Sequence, residues 1–309
     1  MELQQLRYVL AVAEEANFTR AAARCFVVQS ALSHQVKALE QELGVSLFAR
    51  TSRRVELTAA GAAFLPAARA SLEAADRAAA DAAAATGLIR GELRVGVIPT
   101  VTAVDVPAAL GSYRRAHPEV RIALQVTGSD AQEAAIGRGE LDIGLLGLPA
   151  NRPPRGVAWR SLGTDRHVAV LSREHALASR RELSLRDLAE ETFVDFSATS
   201  PGRAQSDLAF DAAGIGRDVA FEVMATDLMI DLVRQNLAVV LLPSRYAPRT
   251  SDLVSVPITD GPTRTEYLAW SDFNPSPAAR AFLDILERMP AGRASGADPA
   301  GRASGADLG

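Results

Sequence analysis

The first sixty residues carry apolar side chains at steps of three and four, the spacing of short α-helices. This pattern predicts one helix near the start of the chain, a second capped by Asn17 and a third ending at Gly44. The buried face of the second helix is predicted to consist of Phe18, Ala21, Ala22, Cys25 and Phe26. Two short helices joined by a tight turn, behind a leading helix, are what a helix-turn-helix requires.

The third helix has an apolar face and a polar face. The apolar face comprises Leu32, Val36, Leu39 and Leu43, and the polar face comprises Ser30, Ser33, His34, Lys37 and Gln41. Serine and histidine near a helix start can reach base edges in a major groove, and a lysine one turn later suits a phosphate. The alternative is an ordinary amphipathic helix whose polar face is only solvated.

A basic turn follows between two short apolar segments. Arg50, Arg53 and Arg54 fall within five residues, and Val55 and Leu57 then alternate with polar positions. This pattern predicts two short strands around a basic turn, a wing that lies against phosphates or in a minor groove. A solvated arginine turn is the alternative, and the preceding helix pair favours the wing.

A long helix is predicted from the cap Thr58 to about Thr86. Its apolar residues alternate at steps of three and four, which is typical of a coiled-coil seam that pairs two subunits. The seam is expected to contain Leu65, Ala68, Leu72, Ala75 and Ala79. An alanine-rich helix packed on its own chain is the alternative.

From residue 92 onward, strand-like and helix-like segments alternate. Strands are predicted at 93–98, 120–126, 142–146, 167–171, 192–196, 219–223, 237–242 and 266–270, with helices at 103–116, 130–138, 184–190, 202–213, 226–235 and 276–289. The alternation predicts two α/β units with mostly parallel sheets and helices on both faces. Because the last strand and helix would return to the first unit, a cleft between two lobes is expected.

The turns after these strands are rich in hydroxyl groups. Hydroxyls and helix N-terminal amides that converge on one cleft favour a small anion, typically a carboxylate. The candidate ligand-binding residues are Thr100, Val101, Thr102, Ser129, Phe196, Ser197 and Thr226. For any single one of these residues, a cap or turn former is the alternative.

Composition narrows the function further. The 309 residues include 33 basic and 37 acidic side chains, so a DNA-binding surface must come from local placement rather than bulk charge. The single cysteine allows no internal disulfide, which indicates a reducing cytoplasm. No apolar run resembles a secretory signal or is long enough to cross a membrane, so no membrane partner is expected. The four histidines form no metal-ligand or catalytic motif, so neither an enzyme nor a metal or other cofactor is expected.

The run from Leu6 to Gly61 resembles the DNA-binding domain of LysR-type transcriptional regulators. The similarity is carried by the segments 6–8, 17–22, 29–33, 39–44, 47–50 and 57–61. It implies that Thr19, Gln29, Ser30, Ser33, His34, Lys37, Arg50, Arg53 and Arg54 contact DNA.

From about Leu93 to Met289 the chain resembles the effector domain of the same family, whose two lobes are similar to those of periplasmic binding proteins. The landmarks are Gly96, His117-Pro118, the segment 141–145 and the segment 241–243. The resemblance implies promoter DNA as a partner, a homodimer and beyond it a tetramer, RNA polymerase as a further candidate partner, and a small-molecule inducer of unknown identity.

The predicted organisation therefore has four parts. They are a winged helix-turn-helix at 1–58, a linker helix at 59–88, a two-lobed effector domain at 92–290, and a disordered tail at 291–309. The lobes are expected at about 92–162 plus 266–290, and at 163–265. Two other hypotheses stay open: a solute-binding protein with a DNA-binding-like head, and a constitutive DNA-binding protein whose lobes only oligomerise.

Overall fold

The computed structural model describes residues 1–50, 55–85, 87–272 and 275–289, excluding the side chain of Arg50. Two compact units are present, one made chiefly of residues 1–91 and the other chiefly of residues 92–289. No helix among the described residues is long and apolar enough to cross a bilayer. The predicted tail at 291–309 lies outside the described residues, so its disorder stays a prediction.

The N-terminal unit is a helix-turn-helix followed by a short hairpin and a long helix. Its elements are α1 (Leu3–Glu15), α2 (Phe18–Arg24), α3 (Gln29–Leu43), β1 (Phe48–Arg50), β2 (Val55–Leu57) and α4 (Ala59–Ala84). The predicted caps are confirmed. The side chain of Asn17 accepts from the Arg20 amide, Gly44 ends α3 at φ 70°, and Thr58 Oγ1 accepts from the Gly61 amide.

The core of this unit is made of the apolar faces of α1, α2 and α3. Val9, Leu32 and Val36 are completely buried there, as the helical spacing predicts. The prediction for Phe26 is wrong, because its side chain is 95% exposed. The helix α2 ends at Arg24, the backbone of Phe26 then turns to φ 56°, and Val27 packs against the core instead.

Part of the predicted seam on α4 lies inside the same unit. Leu65 and Ala68 are buried in the core beneath α1, and Leu72 packs against that core. The assignment of Leu65 and Ala68 to the subunit-pairing seam is therefore wrong, because the first three turns of α4 complete the helix-turn-helix core. Ala75 is half-buried and Ala79 is exposed.

The second unit is an α/β structure. Its strands are β3 (Gly91–Val97), β4 (Val120–Val126), β5 (Ile143–Pro149), β6 (Ala158–Ser172), β7 (Thr192–Asp195), β8 (Asp218–Glu222), β9 (Val240–Pro243), β10 (Leu253–Pro257) and β11 (Thr263–Trp270). Its helices are α5 (Val106–Ala116), α6 (Ser129–Gly137), α7 (Pro201–Ala212), α8 (Thr226–Arg234), α9 (Pro277–Arg288) and a 3₁₀ turn at Leu185–Leu188.

The expectation of mostly parallel sheets is wrong for the large sheet. Its order is β10-β6-β11-β5-β3-β4, with β9 also paired to β6. The strand β11 runs antiparallel to both β5 and β6, and β6 runs antiparallel to β9 and β10. The physical reason is β6, a 15-residue strand that passes without interruption through the predicted lobe boundary at 162–163, so that one strand belongs to both predicted lobes.

Candidate functional site

The predicted DNA-reading residues of α2 and α3 lie on the surface. Thr19, Gln29, Ser30, His34 and Lys37 are exposed, and Ser33 is half-buried. The short polar side chains lie at the start of α3, and Lys37 lies further along the same exposed face. Side chains of the first kind can contact base edges, and a lysine can contact a phosphate.

The opposite side of α3 is fixed to its neighbours. Glu40 Oε1 accepts hydrogen bonds from the amides of Leu47 (2.8 Å) and Phe48 (3.1 Å), which ties the end of α3 to β1. Gln5 of α1 donates to Gln35 of α3 at 3.2 Å. These contacts hold α3 rigidly, with its polar face outward.

The two strands of the predicted wing are present. β1 and β2 pair antiparallel, with Phe48 opposite Leu57 and Arg50 opposite Val55. Arg53, Arg54 and the side chain of Arg50 lie outside the described residues, so their contact with DNA stays a prediction.

A cavity of about 350 Å³ lies within the second unit. Its wall combines apolar side chains with a smaller number of polar groups. The lining residues include Ile98, Thr100, Val126, Ser129, His167, Asp195, Phe196, Gln205, Met224, Leu241 and Arg264. A volume of this size suits a small organic molecule.

One wall of the cavity is held by an ion pair on β11. Arg264 and Glu266 have side chains that are only 3% exposed, and Arg264 Nη2 donates to Glu266 Oε1 at 2.6 Å. Glu266 also accepts from the Thr102 hydroxyl at 2.6 Å and from the amides of Thr102 and Ala103 at 3.0 Å. Arg264 Nη1 donates to the Thr100 hydroxyl at 2.5 Å. The chain that follows β3 is thereby fixed to β11.

The cavity contains three of the seven predicted ligand-binding residues. Thr100, Ser129 and Phe196 line it. Four predicted residues do not line it: Val101, Thr102, Ser197 and Thr226.

Local hydrogen bonds explain why two of these four side chains do not line the cavity. The Thr102 hydroxyl is directed to Glu266, and the Thr226 hydroxyl lies 2.7 Å from the hydroxyl of Tyr246. Ser197, half-buried, lies 3.4 Å from the hydroxyl of Thr199. Val101 is half-buried in the turn after β3, and no contact among the described residues explains why it does not line the cavity.

Gln205 joins the two sides of the cavity. Its Nε2 atom, on α7, donates to the carbonyl oxygen of Gly147 on β5 at 3.0 Å. Ser129 Oγ donates to the same oxygen (3.1 Å) and accepts from the Gly147 amide (3.0 Å). Within the described part of the chain, neither Gln205 Oε1 nor the Nε atom of Arg264 has a hydrogen-bond partner, although both are buried. Two unsatisfied polar atoms thus belong to residues that line the cavity.

Sequence reasoning missed Gln205, His167 and Arg264. Gln205 occupies a position on α7 between the buried residues Pro201 and Phe210, and a polar side chain at such a position is a usable signal. Arg264 and Glu266 are two apart on one strand and therefore share a face, which is a second signal.

A buried ion pair joins β7 to the segment between α7 and β8. Arg217 Nη1 donates to Asp195 Oδ2 at 2.7 Å, and the Arg217 guanidinium lies 5.4 Å from the ring centres of Phe193 and Phe210. Burial raises the pKa of Asp195, and the nearby charge of Arg217 opposes that rise. Asp195 Oδ1 accepts from the Phe196 amide at 2.7 Å, so this carboxylate, which lines the cavity, already has protein partners.

Three helices begin at the cavity. Gly128 and Ser129 lie at the start of α6, Ser200 is the N-cap of α7, and Ala225 is the N-cap of α8. Ser200 caps its own helix by accepting from the Gly202 amide, whereas α8 has no side-chain cap among the described residues. Helix N-termini carry partial positive charge, so the wall where these three converge favours an anion.

His167 is a neutral group in this wall. Its side chain is buried, and burial together with the charge of Arg264 lowers its pKa to about 4. His167 Nδ1 lies 3.2 Å from the carbonyl oxygen of Pro262. Because a carbonyl only accepts, we assign the ring proton to Nδ1. Among the described residues, no group of three or more histidine, cysteine or acidic side chains could hold a metal ion.

Comparison with protein families decides what kind of protein carries these two sites. Residues 3–62 match the model of the bacterial regulatory helix-turn-helix protein, lysR family, and residues 86–290 match the LysR substrate binding domain. The chain is a LysR-type transcriptional regulator. Both matched domains belong to transcriptional regulators, which agrees with the prediction that this protein is not an enzyme.

Relatives of this regulator are similar over almost the whole chain. YnfL, an HTH-type transcriptional regulator of Escherichia coli K12, is 35% identical over 292 residues, which are 91% of this chain and 96% of YnfL. The Hca operon transcriptional activator HcaR of the same organism is 33% identical over 295 residues, 94% of this chain and 99% of HcaR.

Solved structures support the same fold. Full-length CbnR, complexed with its target DNA, has a TM-score of 0.65 at 27% identity and covers 93% of this chain and 99% of CbnR. A cysteine-to-aspartate variant of full-length OxyR from Pseudomonas aeruginosa has a TM-score of 0.71 at 25% identity and covers 95% of this chain and 97% of OxyR. The family resemblance and the fold class predicted from the sequence are thereby confirmed.

The low pKa of His167 predicts that the stability of the folded regulator falls in acid. Above an ordinary histidine pKa of 6.5 this residue is neutral in both the folded and the unfolded protein and adds no pH dependence. Between 6.5 and about 4 only the unfolded chain binds the proton, so stability falls as the pH falls. Over this range the free energy of unfolding of wild type is expected to fall by up to about 3 kcal/mol because of His167. In His167→Gln this part of the fall should be absent. Urea unfolding at a series of pH values measures both proteins.

The exposed His34 supplies the control for this prediction. The variant His34→Gln, which also removes one imidazole, should retain the loss of stability assigned to His167. A His167→Gln curve parallel to that of wild type would show that the buried imidazole does not carry this pH dependence.

Proposed function

We propose that this regulator binds a small carboxylate with an apolar body in the cavity of its second unit, and that this ligand alters its action on promoter DNA. The observation that carries the proposal is the cavity where α6, α7 and α8 begin. We further propose that the polar face of α3 reads the base edges of the promoter. Contact with RNA polymerase stays a prediction.

The size and the wall of the cavity support a small, partly apolar ligand. A volume of about 350 Å³ lies near the lower end of the range for small-molecule sites, roughly 300–1,000 Å³. Ile98, Phe196, Met224 and Leu241 supply apolar contacts to its body. A fully polar metabolite would place polar groups against these apolar side chains. A ligand whose body is a ring or a branched hydrocarbon is therefore favoured.

The charges around the cavity support an anionic head group. The formal charge of Arg264 is balanced by Glu266, and Asp195 is balanced by Arg217. The N-termini of the three helices add partial positive charge, and α8 is uncapped by any described side chain. A carboxylate near Ala225 would complete that helix start in the way an N-cap oxygen does.

We also propose that the regulator acts as a homo-oligomer that pairs through α4. Beyond Leu72 this helix carries a run of alanines, among which Ala79 is exposed, and small residues let two helix backbones approach closely. Light scattering of the purified full chain is expected to give the mass of two or four chains. A single chain at micromolar concentration would contradict the pairing.

The variant Ala225→Asp tests the carboxylate proposal. Its side chain would cap α8 and place a negative charge where the ligand head is expected. We expect carboxylates that raise the unfolding temperature of wild type to bind this variant at least about tenfold more weakly, because like charges repel at short distance. The probes are aromatic and branched aliphatic monocarboxylates, each paired with its uncharged primary amide, and the readout is the shift in unfolding temperature.

The matched control is Ala225→Ser, which adds a neutral cap at the same position. It should retain the response to the carboxylates. Equal stabilisation of wild type by acids and by their amides would contradict an anion site, and so would an unchanged response of Ala225→Asp. If no probe changes the DNA affinity of wild type, the constitutive alternative is favoured instead.

A further inference from the structure

Phe26 lies in an unusual position between α2 and α3. Its backbone is left-handed, with φ 56°, and its side chain is 95% exposed. The Val27 amide donates to the carbonyl of Ala22 (3.0 Å), and the Phe26 amide donates to that of Ala23 (3.1 Å). This pair of bonds is the Schellman motif, and Phe26 occupies the position in it that glycine usually fills.

Neither feature of Phe26 stabilises the folded chain. A left-handed backbone is strained for a bulky side chain, whereas glycine or asparagine would form the same turn with less strain. An exposed aromatic ring gains no burial within the protein. A strained outlier of this kind points to a role outside the fold of the monomer.

The surroundings of Phe26 indicate which partner it meets. Two residues after it the exposed Val28 forms the N-cap of α3, and the exposed Gln29 and Ser30 begin that helix. From Cys25 to Leu39 the chain contains no carboxylate side chain. The apolar pair formed by Phe26 and Val28 is thus continuous along the chain with the polar face of α3 that is proposed to read DNA.

Duplex DNA offers few apolar groups to such a pair. In the major groove the distinctive one is the 5-methyl group of thymine, which apolar side chains contact directly. We propose that Phe26 contacts a thymine methyl group of the target site and is therefore a specificity-determining residue. This inference rests on the proposed reading of DNA by α3 and not on the carboxylate proposal.

The test uses two changes, one in the protein and one in the DNA. The probe is a duplex that wild type selects from a random-sequence pool. Phe26→Asn is expected to raise the unfolding temperature of the protein while it weakens binding to this duplex at least about threefold, the effect of about one apolar contact. Replacing thymine by uracil in the duplex, one position at a time, should weaken wild type about threefold at the contacted position and leave Phe26→Asn unaffected there.

Ala16 provides the matched control, because it is also left-handed, at φ 47°, and exposed at the end of α1. Ala16→Gly relieves a similar strain without removing an aromatic ring and should leave DNA affinity unchanged. The proposal is overturned if Phe26→Asn binds as tightly as wild type, or if its affinity falls together with its unfolding temperature. It is also overturned if no uracil substitution distinguishes the two proteins.

Discussion

The second unit of this regulator depends on the buried pair of Arg264 and Glu266. Breaking such a pair leaves a charge buried without compensation, which typically destabilises a protein by about 3–5 kcal/mol. Here the pair lies on β11, the strand between β5 and β6, and its partners Thr100 and Thr102 follow β3. One electrostatic contact therefore sets both the path of the chain after β3 and one wall of the ligand cavity.

The long strand β6 and the hydrogen bond from Gln205 to Gly147 connect the two sides of the cavity. The strand pairs with β11 over residues 158–166 and with β9 and β10 over residues 167–172, so one continuous sheet runs through both predicted lobes. Gln205 Nε2 on α7 also donates to the Gly147 carbonyl on β5, so a single hydrogen bond joins the two sides of the cavity. A ligand that prefers one arrangement of the lobes would shift their population, and only this difference in affinity can act on DNA binding.

The sequence predicted local structure well and long-range contacts poorly. The helices of the first unit follow from periodicity and from caps such as Asn17 and Thr58, which act within four residues. The cavity was predicted in part, because Thr100 and Ser129 follow strands as expected. Gln205, His167 and Arg264 reach it through pairings between distant segments, and the same holds for the hydroxyl of Thr102. Phe26 was misplaced because a Schellman turn reversed its direction at the end of an otherwise regular helix.

Fluorescence anisotropy over a salt series tests most directly whether the polar face of α3 reads DNA. The probes are the selected duplex and a shuffled duplex, with wild type, Ser33→Ala/His34→Ala and Lys37→Ala. Loss of Lys37 should reduce the salt slope by about one for each phosphate contact, on both duplexes alike. Loss of the Ser33 and His34 side chains should instead abolish the difference in affinity between the two duplexes and leave the salt slope unchanged. A double variant that still distinguishes the two duplexes as wild type does would contradict the account.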